Sequence, residues 1–121
     1  CCGALLGLHG NDGWRVTEAV PARNVRGEAS ATTYAIAADE LVGIDREARR
    51  LGLEIAGFYH SHPDHAAQWS STDFAEAHWV GCCYVIVSVK GGRAEETRAF
   101  LLAGTREEDK RFEEVAIHMD L

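Results

Sequence analysis

The chain opens on a short apolar run, Gly3-Ala4-Leu5-Leu6-Gly7-Leu8, with the length and composition of a buried strand. Asn11-Asp12-Gly13 supplies a turn, after which Trp14-Arg15-Val16-Thr17-Glu18-Ala19-Val20 alternates at period two. Successive side chains of a strand point to opposite faces, so the alternation predicts a half-buried hairpin partner for the first run. Residues 21–30 are mixed and polar and read as a loop, and Ala31 to Ala38 reads as a further short strand. Asp39 is a good helix N-cap, and beyond it Leu41, Ile44, Ala48 and Leu51 recur at spacings of three, four and three. These fall on one helical face, Asp45, Arg46, Glu47, Arg49 and Arg50 fall mostly elsewhere, and Gly52 is a natural stop. Leu53 to His60 reads as the next strand, ended by Pro63. A loop follows, then a second helix from about Ser71 to Trp79. The apolar run 82–89, a Gly91-Gly92 turn and the segment Glu96 to Leu102 predict a second hairpin. A last alternation of Val115, Ile117 and Met119 predicts one more strand. Strands on both sides of two helices give an α/β (α+β) sandwich; the pattern does not give the strand order.

A chain of 121 residues without internal repeats or low-complexity tracts, and with two prolines, suits a single domain over 1–121. Nineteen acidic against twelve basic side chains leave a net charge of −7. A protein that tracks a phosphate backbone needs the opposite sign, so no nucleic-acid partner is expected. No apolar run approaches the roughly 20 residues of a membrane span, and no basic-then-apolar signal segment is present. The expectation is a soluble, cytoplasmic domain with no membrane partner. The four cysteines form two adjacent pairs, Cys1-Cys2 and Cys82-Cys83, which suit neither ordinary bridges nor CxxC metal spacing. The second pair opens an apolar run, where cysteine behaves as a small buried hydrophobe. The chain starts on Cys1 rather than Met and reads as an N-terminally truncated fragment.

The stretch Gly57-Phe58-Tyr59-His60-Ser61-His62-Pro63 to Ser70-Ser71-Thr72-Asp73 carries the chemistry. His60 and His62 lie two apart at a strand end, so both imidazoles project from one face and can reach one ion. Eleven residues on, Asp73 lies near the start of the second predicted helix. Two histidine nitrogens and a carboxylate, with the fourth position left to water, are a catalytic zinc set; structural sites commonly close that position with Cys, and none is near in sequence. Taken singly, each element is ordinary. A His-x-His pair alone is a weak metal signal, and Ser70-x-x-Asp73 alone resembles a helix capping box.

Taken together, His-x-His-Pro, six residues and Ser-x-x-Asp resemble the JAMM signature of the MPN-domain zinc metallopeptidases, of which the prokaryotic branch is the JAB type. Gly57-Phe58-Tyr59 before the pair and the opening Cys2-Gly3-Ala4-Leu5-Leu6-Gly7 also look like that family, so the resemblance covers nearly the whole chain. It implies an MPN/JAB (cytidine-deaminase-like) mixed sheet flanked by helices, with a family helix before the first strand that this sequence does not contain. It implies zinc as cofactor, His60, His62 and Asp73 as its ligands, and a water whose pKa falls towards about 7. Ser70 would donate to the oxyanion, a role compatible with capping. The family's general base is a glutamate two residues before the Cys-Gly, which here falls just before Cys1. Glu18, Glu28 and Glu40 do not occupy that position; Glu54 shares a strand face with His60 but lies roughly 20 Å away.

Family members cut the amide or isopeptide bond after the Gly-Gly tail of ubiquitin or a ubiquitin-like protein. With seven residues between His62 and Ser70 and a short C-terminal part, this chain looks like the compact prokaryotic branch. The implied partner is a sulfur-carrier-type β-grasp protein whose tail adds to a sheet edge. The alternative is a non-catalytic or metal-bearing MPN scaffold that binds such a partner without cutting it. A DNA-associated role sits badly with the charge. His65 and Trp69 either line a cleft or are, respectively, solvent-exposed and packed; His9, His78 and His118 read as surface or structural, and Glu107-Glu108-Asp109 as a solvated loop.

Overall fold

The opening apolar run forms β1 (Cys2–Gly10) and the alternating segment forms β2 (Gly13–Ala22), an antiparallel hairpin turning at Asn11-Asp12. The computed structural model describes residues 1–25, 34–63 and 66–118. Four more strands, β3 (Glu54–Pro63), β4 (Cys83–Lys90), β5 (Arg93–Ala103) and β6 (Arg111–Val115), complete one six-stranded sheet in the order β2-β1-β3-β4-β5-β6. Two helices, α1 (Ala38–Arg50) and α2 (Ser71–Glu76), make this a mixed α+β fold, as expected.

Every neighbouring pair of strands is antiparallel except β3 and β4, which are parallel and joined through α2. Strand direction therefore switches around β3, which runs antiparallel to β1 on one side and parallel to β4 on the other. In open sheets, ligand sites form beyond the carboxyl end of a strand where direction or order changes. β3 ends there in His60-Ser61-His62-Pro63, three residues beyond the predicted end of the strand. Gly57 permits the close approach of β4: a Cβ at this position would lie 1.8 Å from the Cys83 carbonyl oxygen.

Cross-strand register stacks one continuous apolar face. Ala4 lies opposite Phe58, Phe58 beside Tyr84, and Tyr84 opposite Phe100. α1 covers this face with Ile44 and Ala48, its buried positions, and Leu41 packs at the margin. The predicted helical face is correct apart from Leu51, which leaves the helix as its C-cap and is exposed.

Four local expectations need correction. Residues 31–33 of the predicted Ala31–Ala38 strand lie outside the described residues; 34–37 join no ladder, and Ala38 opens α1. Isolated bonds hold that segment instead: Val25 N–H donates to the Ala35 carbonyl (2.9 Å) and Ala35 N–H to Asn24 Oδ1 (3.1 Å). The N-cap of α1 is Ala37, and Asp39 lies in the first turn, where a carboxylate favours the positive end of the helix. α2 ends at Glu76 instead of Trp79, because Ala77 turns extended and is buried, bringing Trp79 edge-on to Phe58 at 5.2 Å. The last strand comes earlier than the Val115-Ile117-Met119 alternation suggests. Phe112 packs against Phe74, Tyr84 and Phe100, which places the strand at Arg111–Val115 and leaves Ile117 exposed; Met119 lies outside the described residues.

Candidate metal centre

His60 and His62 leave the same face of β3, and the short loop to α2 brings Asp73 back over them. Asp73 Oδ1 is 3.2 Å from His60 Nε2, Asp73 Oδ2 is 3.3 Å from His62 Nε2, and the two Nε2 atoms are 3.0 Å apart. Two atoms each about 2.0–2.1 Å from a tetrahedral zinc stand about 3.3 Å apart, so these separations suit one ion. Among the described residues these three form the one group of histidine, cysteine or carboxylate side chains close enough to hold a metal. Their side chains are only 3% to 6% exposed, where an ionised carboxylate needs partners. His60 Nδ1 is buried without a hydrogen-bond partner among the described residues, unlike the satisfied ring of an ordinary core histidine.

The sequence folds this way because Ser70 and Asp73 cap α2 reciprocally. Asp73 N–H donates to Ser70 Oγ (3.0 Å) and Ser70 N–H donates to Asp73 Oδ2 (2.8 Å). The capping reading of Ser-x-x-Asp is therefore correct, and it also fixes the carboxylate that faces the imidazoles. His62 Nδ1–H donates to the Ala66 carbonyl (3.2 Å), which keeps Nε2 turned towards Asp73. Tyr34 stacks on the His60 ring with centroids 4.5 Å apart. Trp69 packs on Phe74 and Phe112, each at 5.4 Å, and also lines a cavity of about 260 Å³ beside His60 and Asp73. Its other walls are largely aromatic, among them Phe58, Trp79 and Tyr84.

Burial pushes the Asp73 carboxyl up, but hydrogen bonds from His60, His62 and the Ser70 amide outweigh it and hold the group well below the usual carboxylate range. The Asp73 bond raises the His62 imidazole above its ordinary value near 6.5, burial opposing and the Ala66 carbonyl adding. Two opposite dependences follow for metal-free protein. A depressed Asp73 stabilises the fold above about pH 4 and ceases to do so as acid protonates it, whereas a raised His62 stabilises it below about pH 6.5 and less as the imidazole deprotonates. Metal-free protein is thus expected to melt highest between about pH 4 and 6.5. Added zinc should move the optimum upward, because binding requires neutral His62. Thermal melts from pH 3 to 9, with and without zinc, check both; a metal-free Tm that rises steadily to pH 8 would refute the His62–Asp73 linkage.

Of the other expected residues, His65 lies outside the described set, His9 packs edge-on against Trp14, and His78 bonds Glu107 at the surface (3.1 Å). Glu107–Asp109 forms an exposed 3₁₀ turn. Tyr34, Gln68 and Arg98 had no sequence signal tying them to the histidines. Among the described residues no helix is long and apolar enough to cross a membrane.

Residues 1–116 match the profile of the prokaryotic homologs of the JAB domain. The chain belongs to that family. This JAB domain is 38% identical over 90 residues to a curated protein named desampylase from Haloferax volcanii, an alignment covering 74% of the chain and 63% of that relative's length. A solved protein from Salinibacter ruber is 41% identical and superposes with a TM-score of 0.71, covering 96% of this chain and 74% of its own. A protein from Desulfitobacterium hafniense, 23% identical, shares the fold with a TM-score of 0.76 over 99% of this chain and 79% of its own.

Proposed function

We propose that this JAB domain is a zinc-dependent hydrolase that cuts the amide or isopeptide bond after the Gly-Gly tail of a ubiquitin-like, sulfur-carrier-type protein. The observation that carries the reading is the convergence of His60, His62 and Asp73 beside an open cavity, in a chain related to a desampylase. In this reading the three side chains would hold zinc, which when bound would supply Lewis-acid chemistry and lower the pKa of a water towards about 7. Ser70 Oγ already accepts from Asp73 N–H, so its own hydrogen is free to donate to the oxygen of a scissile carbonyl as charge builds on it. Tail glycines suit the site because a backbone without side chains can approach the buried imidazoles closely.

The general base of the reading is a glutamate preceding Cys1. The β1–β3 register supports its reach: Cys2 lies opposite His60, and Ser61 N–H donates to the Cys1 carbonyl (3.0 Å). One residue further out, a side chain would stand opposite His62 on the metal face.

The test is cleavage of a ubiquitin-like carrier extended beyond Gly-Gly, by this chain and by a version carrying the preceding residues, with and without chelator. Cutting by the longer protein that stops with chelator and returns with zinc is expected. Cutting that survives complete zinc removal would overturn the reading, and one bound zinc without cutting of any carrier would make the domain a metal-bearing scaffold.

A further inference from the structure

We infer that Arg98, anchored on Glu114, is a positioning residue for the amide cleavage proposed above and rests on that reading: it latches the 66–70 loop, and through the loop sets His62 and Ser70. Arg98 is on β5 opposite Ile86 of β4, which lies beside His60 of β3, so the arginine shares the sheet face of the histidines two strands away. Its guanidinium grips the β6 carboxylate with two nitrogens: Nε donates to Glu114 Oε2 (2.9 Å) and Nη2 donates to Glu114 Oε1. That planar two-point grip aims the remaining nitrogen, and Nη1 donates to Gln68 Oε1 (2.9 Å). The Phe100 ring lies beneath, 5.5 Å from the guanidinium carbon.

Gln68 stands in the middle of the loop that joins the chemical groups. Two residues before it, the Ala66 carbonyl receives His62 Nδ1–H and so determines which imidazole nitrogen faces Asp73. Two residues after it, Ser70 caps α2 and meets Asp73. Ala67 and Trp69 between them pack against Ile86, Phe100 and Phe112. Core packing thus holds the inner side of the loop at Ala67 and Trp69, while Ala66 and Gln68 are exposed and the arginine holds the outer side. A shift of the order of 1 Å in a group that orients a reacting side chain can cost about 10²-fold in rate. The Arg98 and Glu114 side chains are 31% and 49% exposed, and pairs so placed add little to global stability. Positioning and stability are therefore separable by experiment.

The experiment compares Arg98→Ala, Gln68→Ala, the double variant and Arg98→Lys, reading zinc affinity by competition with a chromogenic chelator, kcat and KM for a Gly-Gly amide at saturating zinc, and Tm. Arg98→Ala and Gln68→Ala should each weaken zinc severalfold, less than the roughly 10–100-fold lost with a group bonded directly to a ligand, since they act through the Ala66 carbonyl. Each should lower kcat about tenfold, with KM within twofold and Tm within a few degrees. Because both cut one connection, the double variant should be no worse than either single variant. Arg98→Lys keeps the charge but loses the fork and should not restore the rate. Unchanged zinc affinity in either single variant, or additive losses in the double, would overturn the latch. If the wild-type chain binds zinc and cuts nothing, the functional reading fails, and the zinc comparison alone still decides the latch. Should Arg98→Ala fold poorly, Gln68→Ala, at an exposed loop position, answers the same question.

Discussion

Asp73→Ala is expected to leave the protein without tightly bound zinc and to return amide cleavage to background. Asp73 meets both imidazoles and receives the Ser70 amide, and among the described residues no other carboxylate joins the two histidines. Structural zinc sites with four ligands bind with roughly 10–16 kcal/mol, or about 3–4 kcal/mol per ligand. On that scale the loss of one ligand weakens binding by about 10²–10³-fold. Asp73→Asn separates the two duties of the carboxylate. Its amide oxygen can still accept from Ser70 N–H and hold the helix start, but it carries no charge towards a cation. Asp73→Asn should therefore keep its helix start, melt somewhat below the parent because the charge facing the imidazoles is gone, and fail with the metal, which zinc content after gel filtration and melting curves would show together. An Asp73→Ala protein that retains one tightly held zinc would sink the ligand assignment.

Ser70→Ala should slow kcat by about 10²–10³-fold while zinc stays bound, the usual cost of losing one oxyanion donor. It also removes the acceptor for Asp73 N–H, and an N-cap lost to alanine costs about 1 kcal/mol of stability. The two effects come apart in Ser70→Asn. Asparagine is an equally good N-cap, so the melting temperature should recover, but its longer side chain does not place a hydroxyl at the same point and the rate should not. A Ser70→Ala protein that loses stability yet turns over at the parental rate would reduce Ser70 to a cap.

What the sequence made legible was local in character. His60 and His62 share a face because a strand has period two, and Asp73 starts a helix because Ser70 caps it; both follow from neighbours a few residues apart. The α1 face was readable for the same reason. The contributions of Tyr34 and Arg98 depend on partners 26 and 30 residues away, His60 and Gln68, and on a strand order that no hydrophobic pattern encodes. The end of the sheet was misjudged because alternation of Val115 and Ile117 counts positions equally, whereas a single ring, Phe112, meeting four others outweighs both. At the start of α1, Asp39 had the favoured residue type, but the backbone turns into the helix two residues earlier.

The supports of the three polar groups are unequal. The imidazoles ride on β3, bonded to a neighbouring strand on each side, in the part of a sheet that opens last. The carboxylate rides on six helical residues, too few to persist alone and held at their start by the carboxylate's own cap. Such a site has one fixed jaw and one that can yield. A substitution that frays the start of α2 would therefore displace the carboxylate and leave the two imidazoles in register on their strand.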